Sequence, residues 1–266
     1  MNIKPLAAAA VLCVIAMVAR GEPLSIGETF TLDSKVLAET RRINVYRPAA
    51  QTNVPLPVLY MPDGGIGEDF LHVAGLVQVL VGNGAMRPFM LVGIENTERR
   101  RDMTGPTTNA EDKKIAPLVG GSADFRRFIR DELMPHIKAR YLANGETAIV
   151  GESLAGLFVV ETFLLDPELF DTYIAFDPSL WWNDAGLLAN ANERLRARAT
   201  KGTALYFASS GEPELAELSK RFAGSLQANP SPTLRWHYEP MPAETHATLY
   251  HPAALKAFRE VFKPAN

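Results

Sequence analysis

The 266-residue sequence predicts an α/β protein with a mostly parallel central sheet carrying helices on both faces. Three observations predict it. Short apolar runs of strand length alternate with longer segments of helical spacing. No internal repeat, linker or low-complexity tract breaks the series. The composition, 47% hydrophobic and 21% charged, is that of a globular chain long enough to bury a sizeable core. A single domain from residue 22 to the C-terminus is the simplest organisation.

The elements follow in order. Met1 to Lys4 carries one positive charge, Leu6 to Ala19 is an unbroken apolar run, and Arg20-Gly21-Glu22-Pro23 ends it. A basic start, a short apolar middle and small residues before a cut after Gly21 read as a secretory leader over residues 1–21. The run falls short of the roughly 20 residues of a membrane span. Export to the periplasm or medium is therefore expected, without membrane insertion of the mature chain. The lone cysteine, Cys13, lies inside that leader. The mature chain then has no thiol, which excludes a cysteine nucleophile, a disulfide and a thiolate metal site.

Arg42 to Tyr46 alternates like a half-buried strand. Pro57 to Met61 is a buried-strand run that stops at Pro62-Asp63-Gly64-Gly65, and Phe89 to Ile94 is another. Residues 95–121 read as a polar loop longer than most connections, and so a candidate for function. Ala123 to Tyr141 places Phe125, Phe128, Ile129 and Leu133 at helical spacing. Thr147 to Val150, Thr172 to Phe176, Ala204 to Ala208 and Leu234 to Tyr238 are further strands. Leu154 to Leu165, Leu215 to Ser225 and Pro252 to Phe262 are helices. A net charge of -3 gives no basic footprint for nucleic acid or an anionic membrane. The one basic run, Arg99-Arg100-Arg101, is short.

Between a strand and an apolar helix stands Gly151-Glu152-Ser153-Leu154-Ala155. A sharp strand-to-helix turn lifts a serine hydroxyl clear of the sheet, and small residues two places to either side let the backbone close up. Ser153 is thus the candidate nucleophile. It needs a base, and in this architecture serine, acid and histidine follow in that order. His72 and His136 precede the serine, and His237 lies within a strand. His246, in the loop Met241 to His246, is the candidate base, with His251 at the start of the last helix as the alternative. The acid is expected in the loop Ser209-Ser210-Gly211-Glu212-Pro213-Glu214. Glu214, three places after the glycine, is the first choice and Glu212 the rival. The oxyanion of an acyl intermediate needs two N–H donors. Leu154 follows the nucleophile, and Gly65, in Asp63-Gly64-Gly65-Ile66-Gly67, is the candidate second donor.

With these pieces in place, the chain resembles the putative-esterase family of α/β hydrolases, over roughly Arg42 to Phe262. Val58 to Gly64 resembles that family's strand ending in Asp-Gly, and Arg99 to Thr104 its Arg-x-Arg-Asp-Leu-Thr loop. Phe125 to Tyr141 resembles its Phe-x-x-Phe-Ile helix. Asp177-Pro178-Ser179-Leu180-Trp181-Trp182 is similar to its Ser-Pro-Ser-x-Trp-Trp segment. The resemblance implies an α/β-hydrolase fold and ester hydrolysis, with the siderophore-esterase branch nearest. It also implies that Arg101 and Trp181 or Trp182 lie near the substrate pocket, although tryptophan equally serves a core. The expected chemistry is two-step acyl transfer on a small-molecule ester, needing no metal or organic cofactor. An acyltransferase on the same triad and a non-catalytic binding protein of the same fold are the alternatives.

Overall fold

All seven runs read as strands belong to one sheet. In the computed structural model, residues 22–48, 53–197 and 201–264 are described, so the expected leader lies outside the described residues. Strands β1 (Glu28–Ser34) and β2 (Glu39–Tyr46) form an antiparallel pair. After β3 (Leu56–Pro62) come helix α1 (Phe70–Gly82) and β4 (Met90–Ile94). The segment read as a loop contains two short helices, α2 (Arg99–Met103) and α3 (Ala110–Ile115). The single helix expected over 123–141 is α4 (Ser122–Phe128), a π turn (Ile129–Leu133) and α5 (Met134–Arg140). Pro135, in the first turn of α5, has no N–H with which to continue the α ladder, and the chain absorbs the interruption as a π turn.

Next come β5 (Ala143–Glu152), α6 (Leu154–Leu165), β6 (Thr172–Phe176), α7 (Trp182–Ala189) and α8 (Ala191–Arg196). The chain continues through β7 (Thr203–Ser209), α9 (Pro213–Ala228), β8 (Leu234–Pro240) and α10 (Tyr250–Val261). The sheet order is β1-β2-β4-β3-β5-β6-β7-β8. Pairing is parallel from β4 through β8, and β2 joins β4 antiparallel. This is the mostly parallel α/β-hydrolase sheet that the sequence leads one to expect. β1 escaped the reading because its outward edge is solvated and its apolar alternation weak.

Period two explains why the central strands read as unbroken apolar runs. Val58 and Tyr60 of β3 join one core with α4, α6 and α9, whereas Leu59 and Met61 join a second with α1 and α10. Helix α6 is buried on all sides from Leu154 to Leu164. Each of its large side chains, Leu157, Phe158 and Phe163 among them, contributes roughly 1.5–3 kcal/mol by leaving water. That burial holds the start of α6 against the end of β5. The chain leaves β3 for β4 on one side and later returns to β5 on the other. The loops after β3 and β5 therefore diverge at the carboxyl ends of the strands and open a crevice there.

Candidate active site

Ser153 stands between β5 and α6 with φ +59° and ψ −119°, a strained conformation for any residue but glycine. The turn is over-determined by its surroundings. Ser153 N–H donates to Phe176 O at 3.0 Å, and Ser153 O accepts from Leu157 N–H at 2.8 Å and from Ser179 N–H at 3.0 Å. A Cβ on Gly151 would come within 2.7 Å of Ala155, which is why the position before the elbow must be glycine. As the first residue of α6, Leu154 presents an N–H that the helix itself leaves unpaired, beside Ser153. The Ser153 hydroxyl lies 3.4 Å from that of Ser179, a residue sequence reasoning did not single out.

His246 is half-exposed in the loop after β8, and its Nδ1 is 3.0 Å from Asp177 Oδ2. The carboxylate fixes the ring through Nδ1, and Nε2 is the nitrogen left to exchange a proton. Asp177, not Glu214 or Glu212, is the carboxylate bonded to the histidine. It is fully buried at the end of β6, one strand before the expected turn, with φ +39°. Its Oδ1 accepts from Ser210 N–H at 2.7 Å, and its own N–H donates to Ala208 O at 2.9 Å. Glu212 and Glu214 are exposed before and within the first turn of α9 and make no hydrogen bond to the ring. The sequence did hold a signal. Where the resembling segment has serine, this chain has Asp177.

The bond to Asp177 raises the His246 pKa above its ordinary value. Partial burial opposes the rise, and the negative charges of Glu152, Asp177 and Glu212 add to it. Glu152, next to Ser153, has its carboxyl pushed up to about 7. Burial is the chief cause, His246 pulls it down, and Asp69, Asp177 and Asp63 push it up. Its Oε1 is buried with no hydrogen-bond partner. A histidine bonded to one carboxylate and beside a second whose carboxyl is pushed up is a group whose proton affinity has been set by its surroundings.

The chain belongs to the putative esterase family. The family model described as "Putative esterase" matches residues 34–247. An IroE-like serine hydrolase from Shewanella oneidensis superposes with a TM-score of 0.81 at 30% identity, covering 89% of this chain and 80% of that one. Ferri-bacillibactin esterase BesA of Bacillus subtilis is 32% identical over 170 residues, 56% of this chain and 58% of that protein. A siderophore triacetylfusarinine C esterase of Aspergillus fumigatus is 31% identical over 148 residues, 52% and 49% of the two chains. The match thus spans about half the length of these curated relatives. Among the described residues, no helix is long and apolar enough to cross a membrane.

In this esterase-family chain, the residues expected near substrate divide. Trp182 is buried, and its indole N–H donates to Gly105 O at 3.0 Å, tying the loop before α3 to the core. Trp181 is only partly buried, with its ring 6.0 Å from that of Trp182. Arg101 stands in a wall of ion pairs. Its Nε donates to Asp102 at 2.7 Å and its Nη2 to Glu39 at 2.8 Å, while buried Arg41 pairs with the same two carboxylates. The Nη1 of Arg101 also donates to Glu39, at 3.3 Å, so the guanidinium is part of the wall that carries α2. Asn183 closes the same side. Its Oδ1 accepts from Thr108 N–H at 2.9 Å, and its own N–H donates to Asp112 Oδ2 at 2.9 Å. Asn183, Asp184 and Ala185 all have left-handed φ, a run that L-residues adopt only when other contacts hold it. His251, the alternative base, packs 5.7 Å from the ring of His72.

Proposed function

We propose that the protein is an exported serine esterase with Ser153 as nucleophile, His246 as base and Asp177 as the orienting acid. The observation that carries this reading is the 3.0 Å bond from His246 to a fully buried Asp177, one residue beyond the Phe176 carbonyl that holds Ser153 N–H. His246 removes the Ser153 proton as Oγ attacks the ester carbonyl, and the tetrahedral oxyanion forms beside Leu154 N–H. His246 then protonates the departing alcohol. Water hydrolyses the acyl-enzyme with His246 again as base, and Asp177 holds the ring and stabilises the imidazolium throughout.

Two of the relatives named above are a ferri-bacillibactin esterase and a siderophore triacetylfusarinine C esterase. We therefore favour an ester of that class as substrate, with Trp181 beside the acyl or alcohol group. The basic start and short apolar run of residues 1–21 support export. N-terminal sequencing of the exported protein tests that part, and Glu22 is the expected first residue. For the chemistry, Ser153→Ala should lower hydrolysis of a short p-nitrophenyl ester by several orders of magnitude, and turnover near wild type would sink the assignment. A panel of ferric and metal-free siderophores, feruloyl and acetyl sugars and aryl esters, run at equal concentration, tests the substrate class.

A further inference from the structure

Gly65 is the candidate second oxyanion donor, and in the structure its N–H is occupied. It donates to Glu68 Oε2 at 2.6 Å. The loop is closed on itself around this contact. Glu68 N–H donates to Gly65 O at 3.0 Å, and Glu68 Oε1 accepts from Asn96 N–H at 3.3 Å. The preceding Gly64 N–H is engaged too, on Ile94 O at 2.9 Å. A carboxylate and a tetrahedral oxyanion are rivals for one donor. Both are anionic, both need the same hydrogen, and their charges repel in a poorly solvated site.

We propose that Glu68 gates the oxyanion hole. At rest its carboxylate covers Gly65 N–H, and acyl transfer requires it to turn away. There is room for that movement. Glu68 and Gly65 both line a groove of about 490 Å³ whose walls include Arg42, Asn44 and Asn96. Arg42 is more than half exposed, and its nearest carboxylate, Glu95, is 3.8 Å away. It is a cation free to receive a second carboxylate. Glu68 is thus a positioning residue that acts through Gly65, and its conformation decides whether the site has one oxyanion donor or two. The inference rests on the assignment of Ser153 and Gly65 made above.

The test compares wild type with Glu68→Ala, Glu68→Gln and Ser153→Ala. Its readouts are kcat and KM for p-nitrophenyl acetate and the inhibition constant of an aryl trifluoromethyl ketone, whose adduct carries the oxyanion. Freeing a donor held by a charged hydrogen bond should raise kcat about ten-fold with KM little changed, and tighten the ketone by a similar factor. Glu68→Gln, a neutral and weaker acceptor, should fall between wild type and Glu68→Ala. A side chain that only braces the loop would give the opposite sign, a lower kcat and weaker ketone binding in Glu68→Ala. That result, or no change in either readout, overturns the gate. Should Glu68→Ala fail to fold, Glu68→Gln alone decides, since wild-type kcat and ketone affinity in that variant would overturn it as well. Activity retained in Ser153→Ala would remove the triad reading and the gate together. An inactive Ser153→Ala with flat Glu68 variants would remove the gate only.

Discussion

The turns that end β6 and β7 lie side by side, and each carries carboxylates at the mouth of the crevice. The β6 turn holds Asp177, fully buried and left-handed, with one oxygen on Ser210 N–H and the other on His246. The β7 turn holds Glu212 and Glu214, both exposed. Its contribution is made by the backbone. Ser210 N–H supports Asp177, and Gly211 N–H donates at 2.8 Å to Glu244 O in the loop that carries His246. A Cβ on Gly211 would sit 2.5 Å from Pro242 O, so the turn has to be glycine to lie against that loop. One turn supplies the charge, and its neighbour supplies the dipoles that make a buried charge tolerable.

The strongest way to break this comparison is to remove the buried carboxylate. Asp177→Asn should lower kcat by about 10²–10⁴-fold, because the amide cannot hold the required tautomer. Its circular-dichroism spectrum should stay native. Full activity in this variant would return the role to the β7 turn. The pH profile sharpens the contrast next. In the proposed mechanism His246 must be neutral to accept the serine proton, so the rate should fall as pH falls, with a half-point above the ordinary 6.5 because Asp177 raises the pKa. In Asp177→Asn the half-point should move down. An unmoved acid limb would mean that another group controls it.

Glu152→Gln should produce a smaller downward move of the same limb, since it removes one of the charges that favour the imidazolium. The smallest effect is expected in the exposed turn. Glu214→Gln should leave kcat within about two-fold of wild type, as surface substitutions away from special contacts usually do. A hundred-fold loss there would reverse the assignment of the two turns.

Much of the fold was legible because it is written locally. The buried strands are continuous apolar runs, and α6 is an apolar segment of helix length between turn signals. The elbow at Ser153 could be read from the small residues at 151 and 155 between a strand and a helix, and His246 from its place after the last strand. Asp177 lay outside the loop read for the acid, and its one signal was an aspartate where the resembling segment has serine. Asp177, Glu212 and Glu214 all follow a buried parallel strand, and chain order admits each of them. Asp177 and His246 are 69 residues apart, and their pairing depends on which of two adjacent turns faces Nδ1.

The sequence by itself determined the α/β class, the strand-to-helix setting of Ser153 and the availability of a histidine behind it. Each of these rests on periodicity or on steric demands within a few residues. Only the tertiary structure decided that Asp177 holds the histidine, that Arg101 belongs to an ion-pair wall and that Glu68 covers Gly65 N–H. Those outcomes depend on long-range packing, which determines which carboxylate is buried and which donor it reaches.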